Sequence, residues 1–232
     1  MLIGTTPAHV YRLADDGRPA ARIAPFDALD CRDGWHTPWG GPPAVRSLAD
    51  TPDGTVYADI HVGSIMRSAD HGRSWQPVTP DLHEDVHQVA TCAAAPDRVA
   101  ANTARAVYLS DDLGRSWSHR GDDLGARYGR AIAIDPTDPD VMLATVSDGP
   151  HGDDVHGQLY RTDDAGRTWS HVCDGFPDST AQNINTSHVV FTADGIAWAC
   201  VDRTLYVGDD HGRRWSTFWA GPEPIRMIDP DR

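Results

Sequence analysis

The stretch Ser110–Trp117, which reads SDDLGRSW, decides how this chain folds, because closely similar phrases occur four times. The other three copies end at Trp75, Trp169 and Trp215, so successive tryptophans are 42, 52 and 46 residues apart. Repeats with this period are supersecondary units that stack on their neighbours and share a continuous core. The sequence therefore predicts a repeat protein.

Each copy has the chemistry of a tight turn between two strands. An apolar run such as Ala106–Leu109 precedes the turn, and Gly114 supplies a backbone position with positive φ. The Asp112 carboxylate can accept hydrogen bonds from the N–H groups of the turn, and Trp117 can pack beneath it as a large apolar anchor. We therefore assign a structural role to the equivalent aspartates, which are Asp70, Asp112, Asp164 and Asp210.

These residues match the pattern S/T-x-D-x-G-x-T-W of the Asp-box, also called the BNR repeat. The chain resembles the Asp-box β-propellers, which include sialidases, xyloglucan-cleaving glycosidases, sortilin-type receptors and photosystem II assembly factors. The resemblance implies that the boxes lie on the face of the propeller opposite the active site.

The number of strand-like runs indicates five blades. Two further runs precede each box, which gives a four-stranded blade, and the ends of the chain supply the runs of a fifth. Residues 225–228 have the character of an innermost strand, and residues 2–5, 10–12 and 21–23 that of the remaining three, with a degenerate box at 14–19. We expect an all-β, five-bladed propeller in one domain, residues 1–232. Its ring is expected to close when the C-terminal strand pairs with the N-terminal strands.

Composition restricts the classes of partner. The net charge of −14 argues against nucleic acid or an anionic membrane as the main partner. The chain contains no apolar run long enough to span a membrane, and its four cysteines form no C-x-x-C pair. We expect a cytoplasmic protein.

The innermost strands indicate where a ligand would bind. Aligned blade by blade, they place five cationic or protonatable side chains at equivalent points near the mouth of the central channel: Arg46, His87, Arg130, His188 and Arg226. Guanidinium groups bind carboxylate or phosphate with two parallel hydrogen bonds. The first hypothesis is binding of an anionic small molecule or a carboxylate group by these residues, with Trp35 as a stacking surface. Trp39, in the same long loop, suits that role as well, and pinning of the loop to the end of the barrel accounts equally for both tryptophans. An equally good account of the same residues is that each arginine caps neighbouring carbonyl groups or pairs with an aspartate of the next blade.

Three kinds of function remain open. Hydrolase or lyase activity in the same funnel would make His61, His87 and Tyr128 the acid–base residues. The resemblance to sialidases is incomplete, because those enzymes have six blades, a Phe-Arg-Ile-Pro motif that is absent here, and a tyrosine nucleophile backed by a glutamate.

A second hypothesis is a metalloenzyme in which His61, His87 and His188 bind a divalent transition metal. A third is a non-catalytic scaffold that docks an acidic peptide. The chain's resemblance to the assembly-factor propellers implies such a role, because their channel mouth carries an arginine patch that engages a polypeptide. The sequence leaves open whether the protein is an enzyme.

Overall fold

The computed structural model describes residues 1–14 and 18–229 and arranges their strands in five antiparallel sheets. The first sheet contains β1 (Leu2–Gly4), β2 (Val10–Arg12) and β3 (Ala21–Arg22). The second contains β4 (Val45–Asp50), β5 (Val56–Ile60), β6 (Ser64–Ser68) and β7 (Gln76–Pro77). The third contains β8 (Val86–Cys92), β9 (Ala95–Thr103), β10 (Ala106–Ser110) and β11 (Ser118–His119).

The fourth sheet contains β12 (Tyr128–Ile134), β13 (Met142–Ser147), β14 (Gln158–Thr162) and β15 (Ser170–His171). The fifth contains β16 (Val189–Phe191), β17 (Ala197–Val201), β18 (Thr204–Gly208) and β19 (Arg214–Ala220). Two four-residue helical turns, α1 (Ala24–Asp27) and α2 (Asp209–Gly212), and a 3-10 helix (Asp30–Gly34) complete the elements of the described chain. None of these helices could cross a membrane.

The sheets follow one another around a central channel, with β1, β4, β8, β12 and β16 innermost. Each pair of sheets that is consecutive along the chain shares one cluster of buried apolar side chains. The four clusters join Val10 to Val45, Tyr57 to Val99, Ala100 to Ile132, and Leu143 to Ala197. The predicted five-bladed propeller architecture is confirmed.

Three of the four boxes form the predicted hairpin. In the second, Asp112 Oδ1 accepts hydrogen bonds from the backbone N–H groups of Arg115 (2.9 Å) and Ser116 (2.8 Å). The hydroxyls of Ser110 and Ser116 also donate to this carboxylate. Gly114 has a φ of +80°, and Asp70 and Asp164 repeat the network. The structural role of these three aspartates therefore follows from hydrogen bonds that fix the turn.

The fourth box departs from this arrangement, so the role predicted for Asp210 is wrong. Gly208 and Arg214 replace the two residues whose hydroxyls hold the aspartate in the other boxes. In the described chain, the closest cation to the Asp210 carboxylate is Arg213 Nε, at 3.9 Å. This turn is held instead by a contact of 2.6 Å between His211 Nδ1 and the buried Asp135.

The box network makes stability depend on pH in acid. The hydrogen bond from Ser116 is the largest cause of a pKa of about 2 for Asp112, against 3.8 for a free carboxyl. Between these values the unfolded chain binds more protons than the folded chain, so stability falls as the pH falls from about 4 to about 2. We expect Asp112→Asn to lower the free energy of unfolding at pH 6. The difference between the variant and the wild type should shrink as the pH falls from about 4 to about 2. Urea unfolding at a series of pH values measures this.

Asp210→Asn is the matched control, because Asp210 occupies the same box position without the hydroxyl partners. It should change the free energy of unfolding by much less at pH 6. Equal losses in the two variants would contradict the role assigned to the hydrogen bonds of Asp112.

Ring closure differs from the prediction. The amides of Ile225 and Ile228 donate to the carbonyls of Asp202 (2.7 Å) and Ser187 (2.8 Å), so this stretch runs across the fifth sheet towards the channel. It therefore forms no strand beside β1. Among the described residues, the first sheet has three strands, and no buried apolar cluster joins it to the fifth. The degenerate box predicted at 14–19 rests on residues 15–17, which lie outside the described residues.

Candidate functional site

A β-bulge at the start of three inner strands positions the candidate residues. The pairing register shifts between Val45 and Ser47, between Val86 and Gln88, and between Gly129 and Ile132. These shifts place Arg46, His87 and Arg130 in bulges, which redirect side chains away from the regular pleat. With His61, Asp85 and Tyr128 these residues form a group that we call the mouth cluster.

Arg46 and His61 are in direct contact. Arg46 Nη2 lies 2.8 Å from His61 Nε2, so the guanidinium donates to a ring nitrogen that must carry a lone pair. Burial, and then the charge of Arg46, lower the pKa of His61 to about 4. His61 is therefore neutral at pH 7 and orients Arg46.

Asp85 and His87 form a second pair on the neighbouring sheet. His87 is fully buried, and its Nδ1 contacts the carbonyl oxygen of Gly129. Its Nε2 lies 3.2 Å from Asp85 Oδ1, although neither atom has a well-aligned hydrogen-bond partner. Burial lowers the pKa of His87. Burial opposes ionisation of Asp85, but contact with His87 and the charge of Arg46 outweigh it and lower the pKa of Asp85. Asp85 Oδ1 is also 3.8 Å from Arg46 Nη1.

Arg130 has the least compensated charge in the cluster. Its guanidinium lies over the Tyr128 ring, 4.9 Å from the ring centroid, and Nη2 donates to the Pro150 carbonyl at 3.4 Å. Its Nε is buried without a hydrogen-bond partner. Within the described chain no carboxylate lies within 4.0 Å of this guanidinium. Burial raises the pKa of Tyr128, so the phenol stays neutral.

A buried carboxyl group lies beneath Arg46. Asp59 on β5 is fully buried, and its Oδ1 accepts from the Ser47 amide. Burial raises its pKa to about 7. Below neutral pH, Asp59 is mostly protonated and therefore does little to cancel the two arginine charges. The cluster then carries Arg46 and Arg130 against the single ionised carboxylate of Asp85.

The structure places His188 and Arg226 apart from the mouth cluster. Both line a cavity of about 730 Å³ beside the fifth sheet, together with Gln182, Asn183 and Asn185. His188 Nε2 lies 3.1 Å from the Arg226 carbonyl oxygen, and the Arg226 side chain is exposed. The predicted ring of five cationic groups is therefore reduced to Arg46, His87 and Arg130. His188 precedes β16, whose pairing has no bulge.

The cavity still borders the mouth cluster, because Asn183 Nδ2 donates to the same Pro150 carbonyl as Arg130, at 3.2 Å. We call it the amide cavity. An extended ligand bound at Arg130 would continue into the amide cavity.

Trp35 is a core residue and not a ligand platform. It is buried, with its ring centroid 5.5 Å from that of Phe26, and the Arg32 guanidinium lies 4.6 Å from its centroid. Trp39, four residues later, is 64% exposed and lies edge-on to His61, with centroids 4.8 Å apart. The stacking surface at the mouth is therefore Trp39.

The predicted metal ligands are not brought together. His61 Nε2 accepts from Arg46, His87 contacts Gly129 and Asp85, and His188 lies at the amide cavity. In the described residues no group of three or more His, Cys, Asp or Glu side chains is arranged to hold a metal ion. The donor set proposed from the sequence does not fit a divalent transition metal.

Sequence reasoning did not select Asp59 or Asp85 as site residues, and it offered Trp39 only as an alternative to Trp35. Aspartate is so abundant in this chain that its presence in a loop carried no signal. The position of Asp85, two residues before His87, would have been the one available indication.

Comparisons with known proteins agree with this architecture. The family model for Sortilin-Vps10, described as sortilin, neurotensin receptor 3, matches residues 63–183, just over half of the chain. A probable oligoxyloglucan-reducing end-specific xyloglucanase of Neosartorya fischeri is 25% identical over 85% of this chain and 26% of its own length. A xyloglucanase of Hypocrea jecorina is 27% identical over 90% of this chain and 25% of its own. The chain thus spans about a quarter of the length of these curated relatives.

A similar solved structure, YCF48 bound to D1 peptide, covers 93% of this chain and 62% of its own. Its TM-score is 0.60 at 16% sequence identity, which shows a shared fold.

Proposed function

The chain belongs to the Sortilin-Vps10 family, and from that premise we propose that it is a polypeptide-binding propeller whose mouth cluster holds a carboxylate, with the C-terminus of a peptide as the ligand. The observation that carries the proposal is Arg130, whose guanidinium has no carboxylate partner in the described chain and whose buried Nε is unpaired. The Arg130 side chain is half-buried, so a ligand carboxylate there is partly shielded from solvent and its attraction to the guanidinium is stronger than in bulk water.

The surrounding groups favour binding over acid–base catalysis. His61 and His87 are both held neutral, and a ring with a pKa of about 4 is a weak base at pH 7. The Arg130 guanidinium lies over the Tyr128 ring, which holds it at the mouth by a cation–π contact. Trp39 offers an exposed ring at the rim, and the amide cavity has room for the chain that precedes a terminal carboxylate.

A structural neighbour supports the same class of ligand, because the YCF48 structure is a propeller with a peptide bound. That similarity is one of fold alone, so Arg46 and Arg130 are the residues that favour a carboxylate as the bound group.

The test begins with a pool of N-acetylated random hexapeptides with free C-termini, equilibrated by dialysis against the protein to identify the retained sequence. Titration calorimetry with that peptide should show that Arg130→Gln weakens binding by about 1.5–3 kcal/mol, the range for a hydrogen bond to a charged group. Raising the ionic strength should weaken wild-type binding as well.

Arg115→Gln is the control, because Arg115 is an exposed arginine in an Asp-box turn outside the mouth cluster. The affinity of the Arg115→Gln variant for the peptide should equal that of the wild type. Equal affinity of the Arg130→Gln variant and the wild type would refute the assignment of Arg130.

Glycoside hydrolysis is the second candidate, favoured by the two xyloglucanase relatives. Glycosidases use two carboxyl groups that flank the scissile bond. Asp85 is partly accessible, whereas Asp59 is fully buried and cannot reach a sugar. Release of reducing ends from xyloglucan oligosaccharides by the wild type, lost in Asp85→Asn, would rank this function above peptide binding.

A further inference from the structure

The second strands of four sheets share one register position. In the second to fifth sheets, the residue at this position pairs with the second residue of the following strand, and the four residues are Asp59, Asn102, Thr145 and Cys200. All four are at most 1% exposed. Three of them carry polar side chains, and a polar side chain buried this deeply is normally hydrogen-bonded.

The inner strands have bulges opposite the three polar residues. In the second, third and fourth sheets, one extra residue enters the inner strand at this point, and the inserted residues are Arg46, His87 and Arg130. In the fifth sheet the inner strand has no insertion, and the Cys200 amide donates to the His188 carbonyl at 2.9 Å. A bulge is therefore present where the shared position is polar and absent where it holds cysteine.

The polar side chains bind backbone groups that the insertions remove from the regular ladder. The Ala131 amide donates to Thr145 Oγ1 at 2.8 Å, and the Ser47 amide donates to Asp59 Oδ1. Asn102 acts on the next sheet, where its Nδ2 donates to the Ala131 carbonyl at 2.7 Å. A buried amide or carbonyl without a partner destabilises a fold, so these bonds stabilise the bulged strands. A thiol is too weak a hydrogen-bonding group to replace them.

The bulge at Arg130 is also fixed on its other side. A side chain at Gly129 would overlap Asn102 Oδ1, so the backbone before Arg130 lies directly against the amide of Asn102. The Thr145 hydroxyl donates in turn to the Ile184 carbonyl at 2.8 Å, and the residues on either side of Ile184 line the amide cavity. One hydroxyl group therefore joins the strand that carries Arg130 to the wall of the amide cavity.

We propose that the three buried polar side chains are positioning residues, which hold the inner-strand bulges and so present Arg46, His87 and Arg130 at the mouth. They act through the backbone of the inner strands and touch no ligand. The proposal rests on the proposed carboxylate site and adds how that site is built. It also accounts for the composition of the mouth cluster, to which the fifth sheet, with Cys200 at the shared position, contributes no residue.

Thr145→Val tests the proposal, because valine has nearly the same shape and lacks the hydroxyl. In the crystal structure of the variant, the Arg130 guanidinium should leave the Tyr128 ring, whose centroid lies 4.9 Å from it in the wild type. In calorimetric titration, the preference for the selected hexapeptide as free acid over its C-terminal amide should fall from at least about tenfold to less than about twofold. Thr145→Ser keeps the hydroxyl and should retain both the bulge and the preference.

Cys200→Ala is the matched control, because Cys200 has the same register position in a sheet without a bulge. It should prefer the acid as the wild type does. If Thr145→Val does not fold, Thr145→Cys takes its place, since the fifth sheet folds with a thiol at this position. An unchanged bulge and an unmoved Arg130 in the variant would overturn the proposal. A wild type that binds acid and amide equally would count against the carboxylate site instead, and the variant's structure would still decide the role of Thr145.

Discussion

Trp117→Ala is expected to lower the free energy of unfolding by about 3–5 kcal/mol, the cost of removing a large buried aromatic side chain. Trp117 is buried in the cluster between the second and third sheets, with Val86 and Val99. Its aromatic ring also packs against Gly114, which holds the box turn in its left-handed conformation. Chemical denaturation measures the loss. The affinity for a mouth ligand should be unchanged in the protein that remains folded.

Trp39→Ala is the matched variant for this prediction. Trp39 is an exposed ring that contacts His61 at the mouth. Its loss should leave the free energy of unfolding nearly unchanged and weaken ligand binding. The reverse pattern, with binding lost in Trp117→Ala and stability lost in Trp39→Ala, would show that the ligand binds on the box face and not at the mouth.

The difference in free energy of unfolding between Asp59→Asn and the wild type should change by about 4 kcal/mol between about pH 4 and pH 8. Burial raises the pKa of Asp59 from 3.8 to about 7, so between these values the folded chain keeps a proton that the unfolded chain has released. Stability therefore falls as the pH rises through this window, by about 1.4 kcal/mol for each pH unit between the unfolded and the folded pKa. Asparagine keeps an oxygen for the Ser47 amide and cannot ionise.

The measurement is the difference in free energy of unfolding between Asp59→Asn and the wild type at each pH. The neutral histidines His61 and His87 also make the free energy of unfolding depend on pH. Their contributions are present in both proteins and cancel to first order in the difference. The difference should increase in favour of the variant up to pH 8. A difference that does not vary with pH would mean that the Asp59 pKa is ordinary.

Much of the fold could be predicted because the box chemistry is local. Ser110, Asp112 and Gly114 lie within five residues, and they form the hairpin wherever the hydroxyls are present. The loss of both hydroxyls around Asp210 is equally visible in the sequence, and it explains why this turn differs. The C-terminal run could not be assigned in the same way. Residues 225–228 have the composition of a strand. However, the amides of Ile225 and Ile228 donate hydrogen bonds to the carbonyls of Asp202 and Ser187 and not to a neighbouring strand of the first sheet.

The candidate site was harder to predict because bulges position it. The inner-strand alignment placed His188 and Arg226 beside Arg46, His87 and Arg130, but the bulge that redirects the latter three depends on strand register. No local sequence pattern encodes this bulge. Burial likewise decided between the two tryptophans of the first long loop, because Phe26 and Arg32 enclose Trp35 and leave Trp39 outside.

The central claim is that the mouth cluster recognises a carboxylate through Arg130 and Arg46. The most direct test is calorimetric titration of the wild type with one selected hexapeptide in two forms, as the free acid and as the C-terminal amide. We expect the acid to bind at least about tenfold more tightly than the amide, because the amide loses a charged hydrogen bond. Equal affinity for the two forms would contradict the claim.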